Sequence, residues 1–314
     1  MTLLEELKAE KIRIEKEHGL WTAHNIKLAE DFYTMGPGSS GSEFRSHAFL
    51  QIASDIAAKP ISQMRVLDLA CLEGQFGIEF ALAGAQVVGI EGRLANIEKA
   101  RFAKKALALT NIDFHQDDVR NLSREKYGRF DVVVCCGILY HMDDTGVFDL
   151  IHHIREVCTG VAIFDTHISR KRPKKVTYKD CDYHGKDFFE GPDDVSQEEK
   201  DRALWSSIGN RTSFWPTRES LVNALHEAGF TSISESLWPA LPVHGYDRLC
   251  LIAVCGTKQP IHTFPNFAPT QRIPEKSRYH VLYRELLGYI PDPVKKLIKT
   301  ALGKRKRYHR TNQD

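Results

Sequence analysis

The feature that most constrains this chain is a rhythm that begins at Met64. Short runs rich in Val, Ile and Phe alternate with stretches of helical periodicity. The runs are Arg65–Leu69, Ala85–Ile90, Ile112–Gln116, Phe130–Cys136 and Val161–Asp165. They are nearly all apolar, so both of their faces must be covered, as in parallel strands flanked by helices. Two more runs, Ser232–Trp238 and Asp247–Val254, complete the sheet. The expected fold is therefore α/β, a doubly wound and mostly parallel seven-stranded sheet.

The flanks follow other patterns. Residues 2–18 place Leu3, Leu4, Leu7, Ile12 and Ile14 among charges and read as a surface helix. An aromatic-rich stretch ending in Gly, Ser and Pro follows, then a helix from about Glu43 to Ala58, before Pro60 breaks it. Residues 1–60 thus form an N-terminal helical segment and 61–256 the core. An insertion at about 169–215 breaks the rhythm before a helix at Thr217–Ala228. Residues 257–314 read as an extension, irregular at first. Val294, Leu297, Ile298, Ala301 and Leu302 then keep helical spacing among Lys295, Lys296, Lys299, Lys304, Arg305, Lys306 and Arg307.

Composition excludes several classes. A net charge of +2 is too small to imply nucleic-acid binding by itself. No run approaches the ~18 apolar residues of a membrane span, and the N-terminus lacks the pattern of a secretory leader. The seven cysteines are odd in number and include no CxxC pair, so neither a zinc ribbon nor a redox motif is suggested. A reducing cytoplasm is the expected compartment.

A nucleotide-like cofactor asks three things of such a sheet: a tight turn into a helix after the first strand, an acid ending the second for the ribose, and a polar group near the third for the base. Val66-Leu67-Asp68-Leu69-Ala70-Cys71-Leu72-Glu73-Gly74 supplies the turn, with Ala70 and Leu72 where glycines are usual. Glu91, about 20 residues on, ends the second strand beside Gly92 and Arg93. Gln116-Asp117-Asp118-Val119 supplies the third. A dehydrogenase uses the same ribose acid, and a helix-packing turn is the plainer reading of the first segment.

VLDLACLEGQFG, VVGIEGR, QDDVR and FDVVVCCGILYHM resemble motifs I to IV of class I, S-adenosylmethionine-dependent methyltransferases. The resemblance implies the Rossmann-like methyltransferase fold and S-adenosyl-L-methionine as cofactor. Asp68, Ala70, Cys71 and Gly74 would then lie at its methionine part. Glu91, with Gly92 and Arg93, would hold the ribose, and Asp117, Asp118 and Val119 the adenine, with Cys136 nearby. GILYHM, the upstream WTAHNI and the later SFWPTRESLVNALHEAGF are similar to the tRNA wobble-uridine carboxymethyltransferase-like group, over roughly residues 20 to 256.

A hydroxyl acceptor needs its proton removed, and a histidine suits that work. His141 follows the fourth strand and His167 ends the fifth, both at the edge where open sheets bind ligands. Each is a candidate general base, or a residue that only orders its loop. Asp165 is a candidate to orient a histidine or to cap a loop. No HxH or HxxxH spacing offers a ready metal site, and none is expected. His152 and His153 read as surface or packing residues, and Cys71 and Cys136 as small core residues rather than nucleophiles.

Trp21, His24, Asn25, Tyr140 and Trp215 are candidates to close over or contact the acceptor. The alternative for Trp21 and for Phe214-Trp215-Pro216 is packing. Tyr178, Tyr183 and His184 are further candidates for the acceptor side. The basic C-terminal helix suits an anionic membrane surface, RNA phosphate, or docking on protein. The expected function is methyl transfer to an oxygen of a small molecule or glycan, with tRNA uridine modification and a non-catalytic cofactor-binding module as alternatives.

Overall fold

The computed structural model describes residues 2–38, 40–191, 206–238, 247–259 and 272–273. The basic helix expected beyond residue 294 lies outside them.

Seven strands form the central sheet. In chain order the first five are β3 (Arg65–Leu69), β4 (Gln86–Glu91), β5 (Ile112–Gln116), β6 (Phe130–Cys136) and β7 (Cys158–His167). The last two are β11 (Ser232–Glu235) and β12 (Arg248–Val254). The spatial order is β11-β12-β7-β6-β3-β4-β5, with β12 antiparallel to both neighbours and the other pairs parallel. Chain direction of winding reverses at β3, which has β4 on one side and β6 on the other. Such a switch point leaves a crevice beyond the strand ends.

Alternation along each strand sends neighbouring side chains to opposite faces. Val66, Val132, Val134 and Ile163 pack with Phe49, Phe80, Ile97 and Phe102. These come from α2 (Ser42–Ile56), α3 (Gln75–Leu82) and α4 (Leu94–Ala106). Leu67, Leu69, Val133, Cys135 and Phe164 pack instead with Ile151, Ile154, Leu221 and Leu225. Those belong to α6 (Gly146–Val157), which follows the short α5 (Arg124–Tyr127), and to α7 (Arg218–Glu227). Two apolar layers explain why the strand sequences show almost no polar face.

The N-terminal helix α1 (Leu3–His18) opens with a capping box between Thr2 and Glu5. It buries only Leu7 and Ile14, and Ile12, expected among its apolar residues, is exposed. Met1–Ile273 forms one compact unit. The aromatic-rich stretch that follows contains a small hairpin, β1 (Lys27–Ala29) with β2 (Phe32–Tyr33). Within the insertion, β8 (Lys174–Tyr178), β9 (Cys181–Phe189) and β10 (Thr212–Pro216) form a three-stranded antiparallel sheet. Ile273 exchanges hydrogen bonds with Asn223, and Arg272 pairs with Glu227, so this part of the extension is tied to α7.

Candidate cofactor and acceptor site

The turn after β3 holds Ala70 at φ +51° and Leu72 at φ +46°, with Gly74 at +88°. Left-handed backbone is costly for residues with a Cβ, so the glycines missing from the sequence are missing where the chain needs them most. Two contacts over-determine the turn. Cys71 N–H donates to Ile90 O at 3.0 Å, and Leu72 N–H donates to Glu91 Oε2 at 3.1 Å. Gly74 has no room for more: a Cβ there would meet Phe114 Cζ at 2.8 Å.

The amides that open α3 are already engaged. Gln75 N–H donates to His24 Nδ1 at 3.2 Å, and Gly77 N–H to Asp68 Oδ2 at 2.8 Å. Burial pushes the Asp68 carboxyl up to about 7, against the Gly77 bond that favours its charge. Asp68 Oδ1 has no hydrogen-bond partner among the described residues. Burial lowers His24 to about 4, so its imidazole is neutral.

Glu91 is buried at the end of β4. Its Oε1 accepts from Arg93 N–H at 2.8 Å and from Asn96 Nδ2 at 3.4 Å. Burial raises its carboxyl, and the Arg93 amide and charge oppose that rise. Asp117 goes the other way, to about 2. The cost of burying it is outweighed by hydrogen bonds from Lys126, Tyr127 and Asn121. Asp118 caps the turn that follows it, accepting from Arg120 N–H and Arg120 Nη1, both at 2.9 Å.

A cavity of about 540 Å³ opens over these strand ends, within the usual size of a small-molecule site. Ala70, Leu72, Glu91, Gly92, Arg93, Asp117, Asp118, Val119 and Cys136 line it, as do His24, Tyr140 and His141. Asp68, Cys71 and Gly74 do not; they support the turn from below. Since β3 separates β4 from β6 in the sheet, Glu91 and His141 stand on opposite sides of the turn.

Other expected residues fall outside the lining. Trp21 is buried, its ring 5.7 Å from Phe102 and flanked by the ammonium groups of Lys11 and Lys99. It packs the N-terminal segment onto α4 instead of facing an acceptor. His167 is held by Asp247 at 3.1 Å and stacked on Trp215 at 4.9 Å. Burial lowers its pKa, with Asp247 opposing. Trp215 in turn stacks on Phe188 and donates Nε1–H to Tyr140 O at 2.9 Å, so it buttresses the pocket wall from behind. Asn25 braces the loop at Met35, Gly36 and Gly38. Tyr178 and Tyr183 pack against Phe148, and neither they nor His184 lines the cavity. Asp165 orients no histidine: it holds the guanidinium groups of Arg45, at 3.1 Å, and Arg248.

Several lining residues had no sequence signal. Arg45 and Arg248 come from α2 and β12 and meet at Asp165. Ser206, Ser207 and Ile208 form a strap over the cavity. Arg93 Nη2 donates to Ser206 O, and Arg120 Nη2 to Asn210 Oδ1, each at 2.9 Å. Glu190, just after β9, accepts from Ser207 N–H at 3.1 Å and lies 2.9 Å from His141 Nδ1. Among the described residues no group of three or more His, Cys, Asp or Glu could hold a metal ion, and no helix is long and apolar enough to cross a membrane.

This sheet order, with the reversed strand β12 one place in from the edge, is that of the Rossmann-like methyltransferase fold. Residues 61–200 match a family model described as a methyltransferase domain. In fold, the chain is similar to the N-terminal domain of EvdMO1, solved in the presence of SAH and D-fucose: TM-score 0.59, 22% identity, covering 79% of this chain and 95% of that one. In sequence, it is 31% identical over 90 residues to the ubiquinone biosynthesis O-methyltransferase of Acinetobacter baylyi, covering 29% of this chain and 38% of that enzyme. It is 29% identical over 114 residues to the 23S rRNA (uracil(1939)-C(5))-methyltransferase RlmD of Shewanella piezotolerans, covering 32% and 26%. The chain thus spans less than two thirds of the length of these curated relatives.

Proposed function

We propose that this protein methylates a hydroxyl oxygen of a small molecule or glycan, with S-adenosylmethionine as donor and His141 as general base. The donor set fits the cofactor. Glu91 presents a carboxylate at the cavity wall for ribose hydroxyls, Asp118 and Val119 stand where the base would lie, and the turn at Ala70 and Leu72 brings backbone close. When bound, S-adenosylmethionine supplies a methyl group already activated by its sulfonium. The protein has to align an acceptor, exclude water and accept a proton. Ser206–Ile208 line the cavity beside Gly92 and Arg93, and Tyr140, His141, Arg45 and Arg248 line it as well.

The observation that carries the proposal is that His141 lines the cavity across the turn from Glu91, whereas His167 does not line it. The likeness to a domain solved with a sugar, and to an O-methyltransferase, supports an oxygen acceptor. A basic segment at 294–314 would suit a lipid-linked glycan at an anionic surface. The test is transfer of radiolabel from S-adenosylmethionine to a panel of mono- and disaccharides, lipid-linked sugars and tRNA. Label in a sugar that is lost in His141→Ala supports the proposal; label only in tRNA overturns it.

A second reading keeps tRNA wobble uridine as acceptor and a carboxymethyl group as cargo. It is favoured by Arg45 and Arg248 lining the cavity beside Tyr140, since a guanidinium pair suits a carboxylate.

A further inference from the structure

We propose that Glu190 is a positioning residue that fixes His141 as the Nδ1–H tautomer, leaving the Nε2 lone pair as the basic site. The inference rests on the reading of His141 as the base and adds the residue that orients it.

An ionised carboxylate can only accept. His141 Nδ1 lies 2.9 Å from Glu190 Oε1, so Nδ1 must carry a proton when Glu190 is ionised. In a neutral imidazole the other nitrogen then has none, and Nε2 can receive a proton from a hydroxyl. Glu190 is held ionised although its side chain is only 3% exposed. Burial works against the charge, but bonds from His141, the Ser213 hydroxyl and Ser207 N–H outweigh it and lower the pKa.

The surrounding network keeps this polarity from reversing. Asn210 Nδ2 donates to Ser213 Oγ at 3.0 Å, which leaves the Ser213 hydroxyl hydrogen for Glu190. Asn210 cannot flip its amide, because its Oδ1 accepts from Arg120 Nη2 and from Ser207 Oγ. Arg120 is fixed in turn by Asp118. A chain of hydrogen bonds therefore runs from Asp118 through Arg120, Asn210, Ser213 and Glu190 to the His141 imidazole. Glu190 escaped the sequence reading because it ends an insertion strand and belongs to no motif.

The backbone amide of Ser207 makes the test sharp. In Glu190→Gln, the Ser207 N–H is the one donor that cannot turn, so it takes the amide oxygen; the Ser213 hydroxyl rotates to accept from the NH2 group, which also faces His141. Nδ1 then becomes the acceptor and the proton moves to Nε2. The experiment is 15N NMR of the full-length, histidine-labelled protein, with the His141 ring signals assigned by their loss in His141→Gln. At a pH where the ring is neutral, wild type is expected to show a protonated Nδ1 and a pyridine-like Nε2. Glu190→Gln is expected to show the reverse, and Glu190→Asp to restore the wild-type pattern. With an acceptor in hand, kcat in Glu190→Gln falls roughly 10²–10⁴-fold, and the acceptor KM stays within about threefold. A wild-type His141 protonated at Nε2 overturns the proposal without any variant, as does an unchanged tautomer in a folded Glu190→Gln. Correct tautomers combined with full transfer by His141→Gln would instead sink the assignment of His141 as base and leave the role of Glu190 in fixing its tautomer standing.

Discussion

Glu91 Oε2 accepts the backbone N–H of Leu72 at 3.1 Å, so the acid that ends the second core strand also holds the turn that follows the first. One carboxylate thereby shapes two walls of the same cavity. The contact also explains how a turn without its usual glycines keeps its shape: Ala70 and Leu72 stay left-handed because neighbours on β4 grip the backbone around them.

That strain has a sign that can be measured. Ala70→Gly relieves a left-handed alanine, a cost of roughly 1–2 kcal/mol, offset by about 0.4–1 kcal/mol of extra entropy in the unfolded chain. A net gain of about 0.5–1 kcal/mol in urea unfolding is expected. Gly74→Ala has the opposite sign, a loss of roughly 1–3 kcal/mol, because its φ is +88° and its Cβ would strike Phe114. Destabilisation by Ala70→Gly would contradict the strain account.

Glu73 ties the N-terminal segment to the core. Its carboxylate accepts three successive backbone amides, from Thr22, Ala23 and His24, at 2.8, 3.1 and 2.9 Å. Lys99, fully buried, pairs with it at 3.5 Å and donates to Leu20 O. Removing one partner of a buried pair typically costs about 3–5 kcal/mol. Glu73→Gln is expected to speed amide exchange selectively in residues 20–24, while the central strands stay protected. Uniform loss of protection would mean that the segment is not an independently released element.

His24 sets part of the pH dependence. Its folded pKa of about 4 lies below the ordinary histidine value of 6.5, so only the unfolded state takes up the proton between those values. Stability from this group is therefore complete above about pH 6.5 and is lost as pH falls toward 4. The loss is on the order of 3 kcal/mol. Asp68, raised to about 7, works in the opposite direction across a similar window. The His24 contribution is isolated by comparing wild type with His24→Gln. The gap between their unfolding free energies should change by ~2–3 kcal/mol between pH 7 and pH 4.5; parallel profiles would rule the account out.

The two histidines at the strand ends separate by position. His141 lines the cavity, while His167 is clamped between Asp247 and Trp215 behind Tyr140. His141→Ala is expected to lower kcat about 10²–10⁴-fold. His167→Ala should change it only a few-fold, with a measurable loss of thermal stability from the broken stack. Equal losses of kcat in the two variants would be inconsistent with this placement.

What the sequence made legible follows from where the physics is local. The ranges Arg65–Leu69, Ile112–Gln116 and Phe130–Cys136 match the observed strands end to end, because burial on two faces in β3 and β6, and alternation at the sheet edge in β5, write a strand into consecutive residues. The acids at strand ends were equally readable, since spacing along a βα unit places them. The remainder depends on contacts between distant parts of the chain. Nothing around Glu190 marks it until β9 and β10 bring it to His141. Arg45 and Arg248 are 203 positions apart (248 less 45) and meet at Asp165. Trp21 and Trp215 could each have packed or faced the cavity, and both pack, because buried partners already existed for them in Phe102 and His167.

The central claim is that the cavity over β3, β4 and β6 binds S-adenosylmethionine with Glu91 on its ribose. Calorimetric titration of S-adenosylmethionine and S-adenosylhomocysteine into wild type and Glu91→Ala tests it most directly. Micromolar binding that weakens at least tenfold in the variant is the expected result. No binding of either compound to the folded wild-type chain, or equal binding by Glu91→Ala, would contradict it.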